Sequence, residues 1–227
     1  MYQTEFERLN QQIIHCRICP RLVAWREKVG EVKRRAYRDE TYWAKPVPGF
    51  GDTNARLLVV GLAPGAHGSN RTGRMFTGDD SGNFLYPALY RAGFASQPTG
   101  SMKDDALALD GLFITAVCRC VPPDNKPSAD EITSCLPYLR AEMRLLENLK
   151  GVVALGRIAF DQVMRELFPR SSDRAPCQFW HGVIVGEDGT RPWVLGSYHP
   201  SRQNTQTGRL TTPMFDAIWQ TAKQLLE

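Results

Sequence analysis

Four histidines, six cysteines and one loop of small residues carry most of the chemistry this sequence can offer. The loop is Gly61-Leu-Ala-Pro-Gly-Ala-His-Gly68, which follows the apolar run Leu57-Leu-Val-Val60. A loop built from Gly, Ala and Pro lets a ligand approach backbone N–H groups closely. Where a hydrolytic site would want a carboxylate or amide to activate water, the loop has Ala66 and His67. His199 leaves a second apolar run, Trp193-Val-Leu-Gly-Ser-Tyr198, and enters Pro200-Ser201. The segment after it, SRQNTQTGRL, contains Arg202 and Arg209 and no acid, so it can follow phosphates or serve as a solvated connection. Phe76 lies soon after the first loop. It is either a core aromatic or a stacking platform for a flat ligand. Asp79 and Asp80 are the carboxylates nearest the loop and precede a helix, where first-turn acids are ordinary. Asn125 is either a turn residue or a two-way hydrogen-bonder for an amide-like edge.

The cysteines form two short-range pairs, Cys16-x2-Cys19 and Cys120-x14-Cys135, with Cys118 and Cys177 left over. Four thiolates suit zinc or an iron–sulfur cluster, and spacing alone divides these about evenly, with buried free thiols as the remaining option. Cys118 shares a strand face with Cys120 and competes with it as a ligand. Cys177, beside Pro176, reads as structural. His15 and His181, taken singly, carry no motif.

These residues need a scaffold to bring them together. Residues 3 to 27 read as mostly helical, interrupted at Cys16–Pro20. Apolar runs at 57–62, 112–117 and 151–155 read as strands covered on both faces. Helices are expected at 81–93, capped by Ser81 and ended by Gly93, at 128–149 from a Ser128-x-x-Glu131 capping box, after 155 through Phe168, and at about 212–226. Glu187-Asp188-Gly189 marks a turn between the short runs 182–185 and 192–195. Alternating strands and helices predict an α/β sandwich with a mostly parallel sheet. Its ligands belong at the carboxyl ends of the strands. The loops at 63–68, 121–127, 156–157 and 198–204 all follow strands.

With 227 residues and 42% hydrophobic content the chain suits one domain, residues 1–227, with a real core. No apolar run reaches the roughly 20 residues of a membrane span, and the N-terminus is not a signal or transit peptide, which predicts a cytoplasmic protein. Net charge is +4, and the segment from Arg21 to Lys45 alone carries eight basic residues against four acids. That segment is either a solvated surface or an electrostatic footprint for a phosphate backbone.

Together, GLAPGAHG, RTGRMFTGD at 71–79, RCVPPDNKP with Cys135 beyond it, and HPSRQNTQTGRL at 199–210 resemble the uracil-DNA glycosylase superfamily, type B or family 5. The resemblance spans roughly residues 16 to 212 and keeps the motifs in order. It implies an α/β/α sandwich with a four-stranded central sheet. It implies a structural [4Fe–4S] cluster on Cys16, Cys19, Cys120 and Cys135, held partly by the N-terminal helical segment, with Cys118 left out. The implied reaction is hydrolysis of the N-glycosidic bond of uracil, hypoxanthine or xanthine in double-stranded DNA. The implied setting is nucleoid-associated repair, by a monomer with no membrane partner.

In that reading Ala63, Pro64, Gly65 and Phe76 hold the flipped base, with Asn125 and His199 reading its edge. His199 stabilises the leaving base, and Asp79 positions water. His67, Arg202, Arg209 and Leu210 contact DNA, the last two entering the groove. Two departures matter. Ala66 stands where relatives have a polar or acidic residue, and Ala116 stands where family 4 enzymes have a base-reading Asn, which implies a roomier pocket. The rivals are a uracil-restricted family 4-like enzyme and a non-catalytic nucleic-acid-binding module, the latter kept open by Ala66.

Overall fold

The computed structural model describes residues 4–170, 174 and 177–227; Gln3 and Pro176, named above, lie outside them. Helix α1 (Glu5–Ile14) starts at a Thr4/Glu7 capping box, and α2 (Pro20–Val32) starts at a proline whose missing N–H costs nothing in the first turn. Cys16 and Cys19 occupy the break between them.

Four strands, β2 (Leu57–Gly61), β3 (Leu112–Ala116), β4 (Gly151–Leu155) and β6 (Trp193–Ser197), are buried along their whole length. They pair in parallel in the order β3-β2-β4-β6. The expected four-stranded core is therefore present, but the sheet has six strands. β1 (Phe50–Gly51) and β5 (Ile184–Val185) add antiparallel edges on β3 and β6. β5 falls within the expected short run 182–185, whereas β1, two residues long, leaves no periodic trace in the sequence.

Alternation along each strand divides the core. Leu57, Val59, Ile114, Val153 and Leu195 face α4 (Asp80–Arg91) and the C-terminal α8 (Thr212–Leu226). Leu58, Val60, Phe113, Val152 and Val194 face α5 (Ala129–Leu145) and α6 (Arg157–Leu167). Each fully buried aliphatic side chain stabilises the fold by about 1.5–3 kcal/mol. Apolar contact on both faces explains why the strands read as continuous hydrophobic runs. Two short helices complete the frame, α3 (Ser69–Thr72) in the first loop and α7 (Arg202–Gln206) after His199.

The chain moves from β2 to β3 on one side, then returns past β2 to β4 and β6. That reversal is a switch point, and it leaves a crevice beyond the carboxyl ends of the strands. Among the described residues no helix is long and apolar enough to cross a membrane.

Candidate active site

A cleft of about 720 Å³ occupies that crevice. Its lining joins the first loop (Leu62, Ala63, Gly65, Ala66, His67, Gly68) to Met75, Phe76 and Asp79, to Ala116 at the end of β3, to Asn125, and to His199 and Arg202. Three of the four expected loops converge here. The fourth contributes Gly156, which packs behind the His199 Cβ.

Phe76 holds a positive φ of 51° beside the cleft, a conformation a bulky residue keeps only when its surroundings impose it. The surroundings are visible: a Cβ on Gly61 would lie 2.8 Å from the Phe76 ring, so only glycine at the end of β2 lets the ring settle there. The ring centroid lies 5.9 Å from that of His199, tilted by 31°. The two rings form one wall. Neither ring nitrogen of His199 has a partner among the described residues, and burial draws the imidazole down to about 4. At neutral pH it is therefore a neutral ring with one N–H to donate.

His181 fixes the strand end that presents His199. Its Nδ1 accepts the Tyr198 N–H at 3.1 Å, and its Nε2 faces the Met214 carbonyl at 3.3 Å. An imidazole thus replaces a ladder hydrogen bond just where the chain leaves β6. This contact is invisible in the sequence, because the two residues are 17 apart.

Asp79, not Ser81, caps α4: its Oδ1 accepts the Gly82 N–H at 3.1 Å. The other oxygen turns back over the first loop, where a Cβ on Gly68 would collide with it. Burial raises the Asp79 pKa, against the pull of the Gly82 and Ser81 N–H groups. The loop is small here so that a carboxylate from another element can reach it. The N–H groups of Ala63, Gly65 and Ala66 have no protein partner among the described residues and are free for a ligand.

His67 is braced by Tyr42, whose hydroxyl lies 3.0 Å from Nδ1. Arg71, which opens the RTGRMFTGD motif but has no role legible in the sequence, ties the site together. It donates to the His67 carbonyl at 2.8 Å and the Gly78 carbonyl at 3.1 Å, and pairs with Glu40. It thereby holds the first loop against the residue before Asp79.

Two expected contacts need correction. Leu210 is completely buried among core residues, so it is not displayed to enter a groove. Pro64 is buried and does not line the cleft. Arg209 is exposed at the surface outside the cleft lining, with its guanidinium 4.8 Å from the Tyr198 ring centroid. Asn125 does line the cleft, as an exposed residue at the rim with φ of 56°.

The same sequence shares its arrangement with known proteins. Residues 48–223 match the family described as the uracil DNA glycosylase superfamily. A type-5 uracil-DNA glycosylase of Thermus thermophilus is 52% identical over 215 residues, covering 95% of each chain. The chain belongs to the uracil DNA glycosylase superfamily. A type-5 uracil-DNA glycosylase of Mycobacterium leprae is also 52% identical, over 96% of this chain and 94% of its own. A type-4 uracil-DNA glycosylase of Pyrobaculum aerophilum is 31% identical over 70% of this chain and 74% of its own. Within the superfamily, this chain is thus much more similar to the type-5 members.

The cysteines of this superfamily member fall into three groups. Cys177 is partly buried and packs against the core on the α5 and α6 side of the sheet. Cys16, Cys19, Cys120 and Cys135 come within electrostatic reach of one another at the break between α1 and α2. Their donors suit anionic sulfur: buried Arg26 donates to Cys120 Sγ at 3.0 Å, and the Arg119 N–H to Cys135 Sγ at 3.2 Å. Cys118 is different. It is completely buried and donates its S–H to Cys135, which keeps Cys118 protonated and draws Cys135 down to about 7. Among the described residues no three His, Cys, Asp or Glu side chains converge closely enough for a single metal ion. The donor chemistry suits a thiolate-bound group.

Proposed function

We propose that this cleft hydrolyses the N-glycosidic bond of uracil and of the deaminated purines hypoxanthine and xanthine in double-stranded DNA, leaving an abasic site. The observation that carries the reading is the juxtaposition of Phe76, neutral His199 and the Asp79 carboxylate around one cleft at the switch point. A base inside a duplex is out of reach, so the damaged nucleotide must leave the stack and enter the cleft. The Phe76 ring stacks on it. The unpartnered N–H groups of Ala63 and Gly65 meet its carbonyl oxygens. As the bond breaks, the base gains negative charge, and the His199 N–H donates to it; a neutral donor held in place by the fold serves this without a proton having to move. The sugar becomes cationic, and Asp79 both offsets that charge and orients water toward it. Asn125 reads the base edge from the rim, while His67, Arg202 and Arg209 take DNA contacts.

Ala116 and Ala66 leave space that larger polar side chains would occupy, which supports admission of purines as well as uracil. Release of base from duplexes carrying a single uracil, hypoxanthine or xanthine tests this. Free uracil and at least one free purine are expected; uracil alone would return the protein to a uracil-restricted enzyme.

Cys16, Cys19, Cys120 and Cys135 would hold a structural [4Fe–4S] cluster. It would pin the α1–α2 break to the end of β3 and to α5, since hydrolysis needs no electron transfer. The purified protein is then brown, with iron and sulfide in equal amounts, and Cys135→Ser loses both together with much thermal stability. Colourless protein with stoichiometric zinc would overturn the assignment.

A further inference from the structure

We propose that Arg34 is a phosphodiester contact on the lesion strand, alongside Arg202, and that residues 33–44 form a DNA-facing wall built onto the active-site loop. This rests on the DNA-glycosylase reading above and adds a binding site to it.

The wall begins where α2 ends. Lys33 takes a positive φ of 54° and turns the chain off the helix axis toward the cleft. Two independent anchors then fix the segment to the first loop. In one, the Arg34 N–H reaches the Tyr42 hydroxyl at 3.4 Å, and the same hydroxyl lies 3.0 Å from His67 Nδ1. In the other, the Arg71 guanidinium lies 4.0 Å from the Tyr37 ring centroid and pairs with Glu40 while bonding the His67 and Gly78 carbonyls. Backbone bonds from Trp43 to Arg71 and from Ala44 to Asn70, at 2.8 and 3.0 Å, close the far end. A surface loop with no task would not need this many connections to a catalytic loop.

What the anchors hold in place is Arg34 itself. It is exposed, it lines the cleft together with Tyr37, and it has no ion-pair partner among the described residues. Its charge reaches the first loop, where it helps to depress the His67 imidazole. Arg202, also exposed, lines the same cleft, with only a loose 3.8 Å contact to Asp80. Two guanidiniums from distant parts of the chain thus line the space meant for a flipped nucleotide. A flipped nucleotide has a phosphate on each side, and a guanidinium fork matches phosphate oxygens. The concentration of positive charge between Arg21 and Lys45 agrees with this placement.

The test is the salt dependence of binding to a duplex carrying one non-cleavable tetrahydrofuran abasic analogue. Neutralising one phosphate contributes about 0.9 to the slope of log affinity against log salt. Arg34→Gln should reduce the slope by about that amount, Arg34→Lys should keep it, and Arg8→Gln, on α1 away from the cleft, should not change it. A merely structural role for Arg34 would weaken binding without moving the slope. Equal slopes for wild type and Arg34→Gln would overturn the proposal. Wild-type protein that binds this duplex with no salt dependence would instead count against the DNA reading itself.

Discussion

Replacing His199 by Ala should slow single-turnover base release by about 10² to 10³-fold while duplex affinity stays close to wild type. The size follows from the environment. A hydrogen bond to developing charge is worth far more in a site that excludes water than at a surface, and the donor here is already aimed and unpartnered. The separation of rate from affinity follows from the role: the bond to the base strengthens only as the glycosidic bond breaks. The pH profile gives a second reading. Burial places the imidazole at about 4, so the rate should show no inflection near the ordinary histidine value of 6.5. An equal loss of rate and affinity would make His199 a binding residue and favour a non-catalytic module.

Asp79 should matter by about 10² to 10⁴-fold in the same assay, the range for a positioned general base. Its two oxygens have separate jobs, and two variants distinguish them. Asp79→Asn keeps an acceptor for the Gly82 N–H, so it should retain the α4 cap and lose cleavage. Asp79→Ala loses both, with about 1 kcal/mol of additional stability lost from the cap. The sign of the pH effect is set by burial. A raised pKa means that the carboxylate gains its proton at a higher pH than an exposed Asp with its value of 3.8, so the acid limb of the rate profile lies above that value. Asp79→Asn should remove that limb. If Asp79→Asn cleaves normally, water is oriented by another group, or the cation is stabilised without a base.

Much of the scaffold was legible because its signals are local. Leu57–Val60 is apolar at every position, and Ser128-x-x-Glu131 is a cap written in four residues; both formed as expected. Convergence of the loops followed from the parallel topology alone. The long-range parts left no such trace. Arg71 reads as one of many arginines until Glu40, Tyr37 and the His67 and Gly78 carbonyls surround it. His181 reads as a lone histidine until the fold sets it against the Tyr198 N–H. Leu210 misled for a related reason: within a polar segment it looked like a displayed wedge, yet tertiary packing draws it into the core between α7 and α8. The missing acid of GLAPGAHG has a physical explanation in this geometry. The loop carries no acid of its own, and its glycines make room for the Asp79 carboxylate arriving from the cap of α4.

The central claim is that this cleft breaks the glycosidic bond of purines as well as uracil, through His199 and Asp79. The most direct measurement is product analysis after single-turnover reaction with a duplex carrying one hypoxanthine. Free hypoxanthine is expected, with a strand that stays intact until alkali cuts it at the abasic site and with release greatly slowed in His199→Ala and Asp79→Asn. Protein that releases uracil from the matching duplex but leaves hypoxanthine attached would contradict it.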